Sequence, residues 1–222
     1  MTTANALSRG IKDLLNGLLA RNLILLPNAV IVVDGARVTW RSPAPAGKFV
    51  DFVDYPTIRT YRRWAQVGEY SALLPDAALL QLTYDVAHGE IAGHRLAYVP
   101  CPYRVDQDFL LTEAIGDVLD LHAAEPQDDI TMQSAIRLDF DPGSAAVGHP
   151  TSHLTLNVST CRIACEAPMT AEDFVRFVFR NFYKDQYAAN VDFFEALPKS
   201  DRDSTVTEDE RYEPHVAWRR RG

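Results

Sequence analysis

Apolar residues recur along this chain with two periods, one near four and one of two. Between residues 4 and 21, Leu7, Ile11, Leu14, Leu15, Leu18 and Leu19 fall at helical spacing and predict an amphipathic helix with one apolar face. The run from Val30 to Trp40 changes to strand-forming residues around Asp34-Gly35, which predicts a hairpin. Pro and Gly between residues 41 and 48 mark a loop, residues 49–53 suit a further strand, and residues 57–67 suit a short helix behind Pro56. A second hairpin is predicted over residues 78–99, with its tip at His88-Gly89, and Pro100 and Pro102 end it. Residues 109–122 again carry apolar positions at helical spacing, and an acidic loop follows from Glu125 to Asp129.

The segment Ile136-Arg-Leu-Asp-Phe140 alternates as a half-buried strand does, and so does Leu154-Thr-Leu-Asn-Val158. Thr170 with Asp173 resembles a helix-capping pair ahead of the aromatic-rich stretch from Phe174 to Tyr183, and residues 191–197 suit a last short helix. Strands joined as hairpins, without βαβ alternation, predict an α+β fold: an antiparallel sheet of about six strands built from hairpins, with helices packed mainly on one face. A single domain is expected over residues 1–197, followed by a polar, partly ordered tail over 198–222 that ends in three arginines and a glycine.

Composition narrows the class. The chain has 222 residues, 47% of them hydrophobic, enough for one domain with a substantial core. Its formal net charge of −8 opposes general nucleic-acid binding, which relies on a basic surplus, while leaving room for a local basic groove or a basic partner protein. The three cysteines, Cys101, Cys161 and Cys165, are too few and too irregular for a disulfide framework, and no disulfides are expected. No apolar run approaches the ~18 residues a membrane-spanning helix needs, and no signal-peptide pattern opens the chain, so a cytoplasmic location is expected. The phosphate-loop and dinucleotide fingerprints are absent, and no cofactor is expected.

The segment from Asp139 to His153 has the densest chemistry. Two aspartates end one strand and two histidines open the next, with Arg137, Ser144, Ser152 and Arg162 nearby in sequence. If the strands pair, these groups meet at one end of the sheet. Three readings follow. His149 and His153 suit a general base and general acid, with Asp139 orienting a histidine and Arg162 contacting phosphate, as in metal-independent RNA cleavage. Asp139, Asp141, His149 and His153 have the donor types for a divalent metal, although their spacing matches no specific motif and Pro150 excludes a two-histidine helix. The third reading is structural, since Asp141-Pro-Gly and Gly148-His-Pro are turn formers.

Two further basic sets are candidates for nucleic-acid contact. Arg59, Arg62 and Arg63 are interleaved with Tyr61 and Trp64, a pattern that serves phosphate contact and base stacking but also serves a helix with its aromatics turned inward. Arg176 and Arg180 share a helix face, where they either line an anion site or pair with Glu166, Glu172 or Asp173.

The run His149-Pro-Thr-Ser-His153-Leu-Thr-Leu-Asn157, with Cys161-Arg162-Ile163, Pro168 and the aromatic stretch 174–183, resembles an uncharacterised family of bacterial proteins, a domain of unknown function. That resemblance covers most of the chain and implies no activity. Residues 79–178 are also partly similar to a small toxin family of bacterial toxin–antitoxin modules that acts on RNA. It would carry over to Asp139, His149 and His153, but this chain is longer and lacks consecutive histidines in the loop and a further one in the next strand. Two expectations follow from the loop chemistry and these likenesses. One is a toxin or phage-defence effector that cleaves RNA. The other is a non-catalytic subunit of a defence or toxin–antitoxin complex that binds a partner protein through its acidic surface.

Overall fold

The computed structural model describes residues 3–41, 57–122, 133–199 and 202–218. Among these residues the chain forms nine strands and seven α-helices. The class is α+β and antiparallel, as the hairpin pattern predicts, and the sheet is larger than the six strands expected. The strands are β1 (Leu26–Pro27), β2 (Val30–Val33), β3 (Arg37–Trp40), β4 (Ala72–Leu73), β5 (Leu79–Ala87), β6 (Glu90–Val99), β7 (Ile136–Phe140), β8 (Ser152–Leu156) and β9 (Arg162–Ala164). They form one sheet in the order β1-β4-β5-β6-β7-β8-β9, and β3 joins it through β5 with β2 on its far side. The additional strands are short pieces of two or three residues, below the length at which alternation can be read.

Both predicted hairpins form. Asp34 and Gly35 hold φ of 50° and 69°, and His88 and Gly89 hold 53° and 80°. These are the left-handed conformations a tight strand reversal requires and glycine adopts freely. The strand expected over residues 49–53 lies outside the described residues, as does the acidic loop 125–129.

Strand alternation gives the sheet two unlike faces. One carries Val38, Leu80, Leu82, Tyr84, Leu96, Tyr98, Ile136 and Leu138, all buried in the main core. Helix α1 (Ala4–Leu19), capped by the Thr3 hydroxyl, buries Ile11, Leu14, Leu15 and Leu18 there, and α5 (Ala171–Phe182), capped by Thr170, adds Phe174, Val175, Val178 and Phe179. Burying each of these side chains contributes roughly 1.5–3 kcal/mol.

The opposite face is divided lengthwise. Its Leu79, Ala97 and Val99 end is covered by α2 (Ile58–Val67) and α4 (Ile115–His122), through Tyr61, Trp64 and Leu119. The helix expected over 109–122 is two pieces, α3 (Gln107–Thr112) and α4, because the chain is extended at Glu113. The other end of this face holds polar residues.

Two short helices, α6 (Lys184–Ala189) and α7 (Val191–Ala196), follow α5 and add Phe194 to the main core. The segment expected as a polar tail is docked over residues 202–218. Val216 forms a parallel bridge to Cys165, the Thr205 hydroxyl donates to Ser152 Oγ at 2.9 Å, and Val216 and Trp218 pack against the main core. All three cysteines are free thiols, and no helix among the described residues is long and apolar enough to cross a membrane.

Candidate functional site

The polar end of the second sheet face is assembled by register. Asp139 on β7 pairs with His153 on β8 and with Arg95 on β6, and Arg95 pairs with Thr83 on β5. One row along, Arg137 on β7 pairs with Thr155 on β8, which pairs with Arg162 on β9. These residues alternate with the apolar side chains of the main core, so they all project to the other face. Thr83, Arg137, Asp139, His153 and Thr155 are nonetheless buried, with His153 only 1% exposed.

Asp139 is the hub. Arg137 Nε donates to its Oδ2 at 2.6 Å, His153 Nε2 lies 3.3 Å from the same oxygen, and Arg95 Nε lies 3.7 Å from Oδ1. Burial pushes the Asp139 carboxyl upward, but the contact with His153 and the charge and hydrogen bond of Arg137 outweigh it, so it stays below its ordinary range. His153 is held from both ends, because its Nδ1 lies 2.8 Å from the Pro150 carbonyl oxygen. Each ring nitrogen therefore faces an oxygen of the protein, which fixes the orientation of the ring.

His149 sits beside this pair, in the connection between β7 and β8. A turn closed by reciprocal backbone hydrogen bonds between Ala146 and His149, with Gly148 at φ 75°, presents it. Its ring meets that of His153 edge-on, with centroids 4.8 Å apart. Burial lowers its pKa, and the charges of Arg162 and His153 lower it further against the opposing Asp141 and Asp139. The result is a half-buried imidazole biased toward its neutral form and close to an arginine.

The structure thus brings Asp139, His149, His153 and Arg162 together. Among the described residues, no three His, Cys, Asp or Glu side chains converge to hold a metal ion, so the metal reading of Asp139, Asp141, His149 and His153 lacks its geometry. The other candidates lie elsewhere. Arg59 and Arg63 are exposed on α2, and Arg62 pairs with Asp120; Tyr61 and Trp64 are turned into the second core. Arg176 and Arg180 belong to α5, which covers the main-core face, on the far side of the sheet from His153. Arg176 pairs with Asp173 and donates to the carbonyl oxygens of Phe194, Leu197 and Pro198, while Arg180 is exposed.

Sequence reasoning did not single out Arg95, Thr83 or Thr155, and it noted Arg137 only as a neighbour. The available signal was a polar residue at every second position of strands whose other positions are apolar.

The fold and site define an α+β protein with a helix-covered antiparallel sheet and a buried arginine–aspartate–histidine network on its second face. The chain belongs to the DUF2290 family of uncharacterized conserved proteins, whose profile matches residues 27–218. Comparison with curated proteins and with solved structures found no match.

Proposed function

We propose that the chain is an RNA-cleaving effector of the toxin or phage-defence type, and that His149 is its general base. The observation that carries this reading is the position of His149, a half-buried imidazole beside Arg162 and against the buried Asp139–His153 pair. A neutral imidazole can take the proton of an attacking 2′-hydroxyl, and a neighbouring guanidinium can stabilise charge that builds on the phosphate. His153, with both nitrogens directed at protein oxygens, acts as a positioning residue that fixes the wall against which His149 rests. Asp139 holds His153 and Arg137 in place. The chemistry needs no metal at these residues.

Induced expression in a bacterial host tests the reading. Wild type should arrest growth, and His149→Ala, shown to be folded and equally abundant, should not. Equal toxicity of the two would remove His149 from the mechanism.

A second reading has its own support. Phe109, Leu111 and Leu121 are 52%, 63% and 65% exposed on α3 and α4, two helices in contact with each other, and neighbouring exposed apolar side chains are a feature of interaction surfaces. This favours a subunit that binds a partner protein, and co-purification from the native host with and without Leu111→Asp and Leu121→Asp would test it.

A further inference from the structure

Among the described residues, three buried polar atoms on neighbouring strands of the second sheet face make no hydrogen bond: Asp139 Oδ1 on β7, which has only the longer ion-pair contact to Arg95 Nε at 3.7 Å, Thr155 Oγ1 on β8 and Arg162 Nε on β9. Asp139 and Thr155 are each 4% exposed. Leaving a buried polar group unpaired is costly, and such a group calls for a partner, whether an ordered water, an ion or a ligand. Here three such atoms occur together. Thr155 is directly opposite Arg162, and Asp139 is opposite His153, two residues before Thr155 on the same strand. Asp139 and Thr155 are thus diagonal neighbours, roughly 7–8 Å apart, and Arg162 lies one strand beyond, beside Thr155.

Their chemistry is complementary to a particular ligand edge. Asp139 Oδ1 accepts, Arg162 Nε donates, and the threonine hydroxyl does either. A ligand that satisfies all three presents a hydroxyl donor next to an anionic oxygen. We propose that Asp139, Thr155 and Arg162 form a ribose–phosphate subsite for the 3′-nucleotide product, in which Asp139 Oδ1 accepts from the 2′-hydroxyl that faces His149 in the intact chain, and Arg162 and Thr155 hold the adjacent 3′-phosphate. This inference deepens the RNA reading and rests on it: the subsite selects ribose over deoxyribose by binding, separately from any cleavage.

The test is titration of the full chain with the four ribonucleoside 3′-monophosphates, their 2′-deoxy counterparts and inorganic phosphate, followed by calorimetry. At least one ribonucleotide should bind about tenfold more tightly than its deoxy counterpart and than phosphate alone, the value of one well-made hydrogen bond to a charged group. Thr155→Val keeps the side-chain volume and removes an unsatisfied hydroxyl. It should weaken that binding about tenfold while leaving the melting temperature of the free protein unchanged or higher, which a structural threonine would not do. Arg162→Gln should weaken ribonucleotide and phosphate alike, and Arg180→Ala, on the other side of the sheet, should change neither. Equal binding of ribose and deoxyribose forms, binding of phosphate alone as tight as that of nucleotides, no binding at all, or a Thr155→Val protein that binds normally would each overturn the subsite. The cleavage reading is scored separately: ribose-selective binding by a wild-type protein that leaves RNA intact would remove the enzyme and keep the subsite.

Discussion

Asp139 on β7 and His153 on β8 face each other across the sheet, with His153 Nε2 3.3 Å from Asp139 Oδ2 and the opposite ring nitrogen tied to the Pro150 carbonyl. The contact joins the next-to-last residue of β7 to the second residue of β8, where the two strands flank the loop that carries His149. The geometry of the candidate site therefore depends on a buried charge, and the stability of that charge can be measured.

Asp139→Asn removes the charge that Arg137 and His153 share while leaving both buried. Breaking a buried pair from one side costs about 3–5 kcal/mol. Urea denaturation at neutral pH should show a loss of that order. A loss no larger than that of an exposed substitution would show that the network is dispensable for the fold.

His94 is a second buried histidine, on the main-core face between Tyr84 and Phe140, where its Nε2 accepts the Met169 backbone N–H. Burial lowers its pKa to about 4, against the opposing charge of Asp139. Its folded pKa is thus below the unfolded value, so its contribution to stability is fully present above about pH 6.5 and is lost as the pH falls toward 4. The shift is worth about 3 kcal/mol. Denaturation midpoints measured between pH 7 and 4 should fall more steeply for wild type than for His94→Gln, which cannot take up that proton. Parallel curves would contradict this account of His94.

Arg176 spans two elements. Its guanidinium supplies donors to the last carbonyls of α7 and pairs with Asp173 in the first turn of α5. Replacement by alanine should cost about 2 kcal/mol, since several charge-assisted hydrogen bonds and a helix end are affected. RNA binding, if measured, should be unchanged. An effect on binding without one on stability would reverse this assignment.

Much of the fold was legible because local signals agreed with the global arrangement. Asp34-Gly35 and His88-Gly89 mark reversals that only positive φ allows, and Thr170 marks the start of α5 by its cap. The pairing of Asp139 with His153 was legible only conditionally, since register depends on the length of the 141–151 connection and not on the strands themselves. The arginine row was harder. A polar residue at alternate strand positions reads as a solvent face, yet Thr83, Arg137 and Thr155 are buried. Sequence spacing placed Arg176 and Arg180 on one helix face but could not show that α7 folds back and occupies Arg176. Nor could spacing show that Val216 and Trp218 bring the C-terminal stretch onto the edge of β9.

In the proposed function, His149 acts on RNA within this network. The most direct measurement is cleavage of a mixed-sequence RNA by the purified full chain in the presence of a chelator, with wild type compared with His149→Ala after both are shown to be folded. Wild type should cleave and leave 2′,3′-cyclic or 3′-phosphate ends, and the variant should lose about 100-fold or more of that activity, the lower range for removing a general base. Intact RNA with wild type, or equal cleavage by the two proteins, would contradict the proposed function.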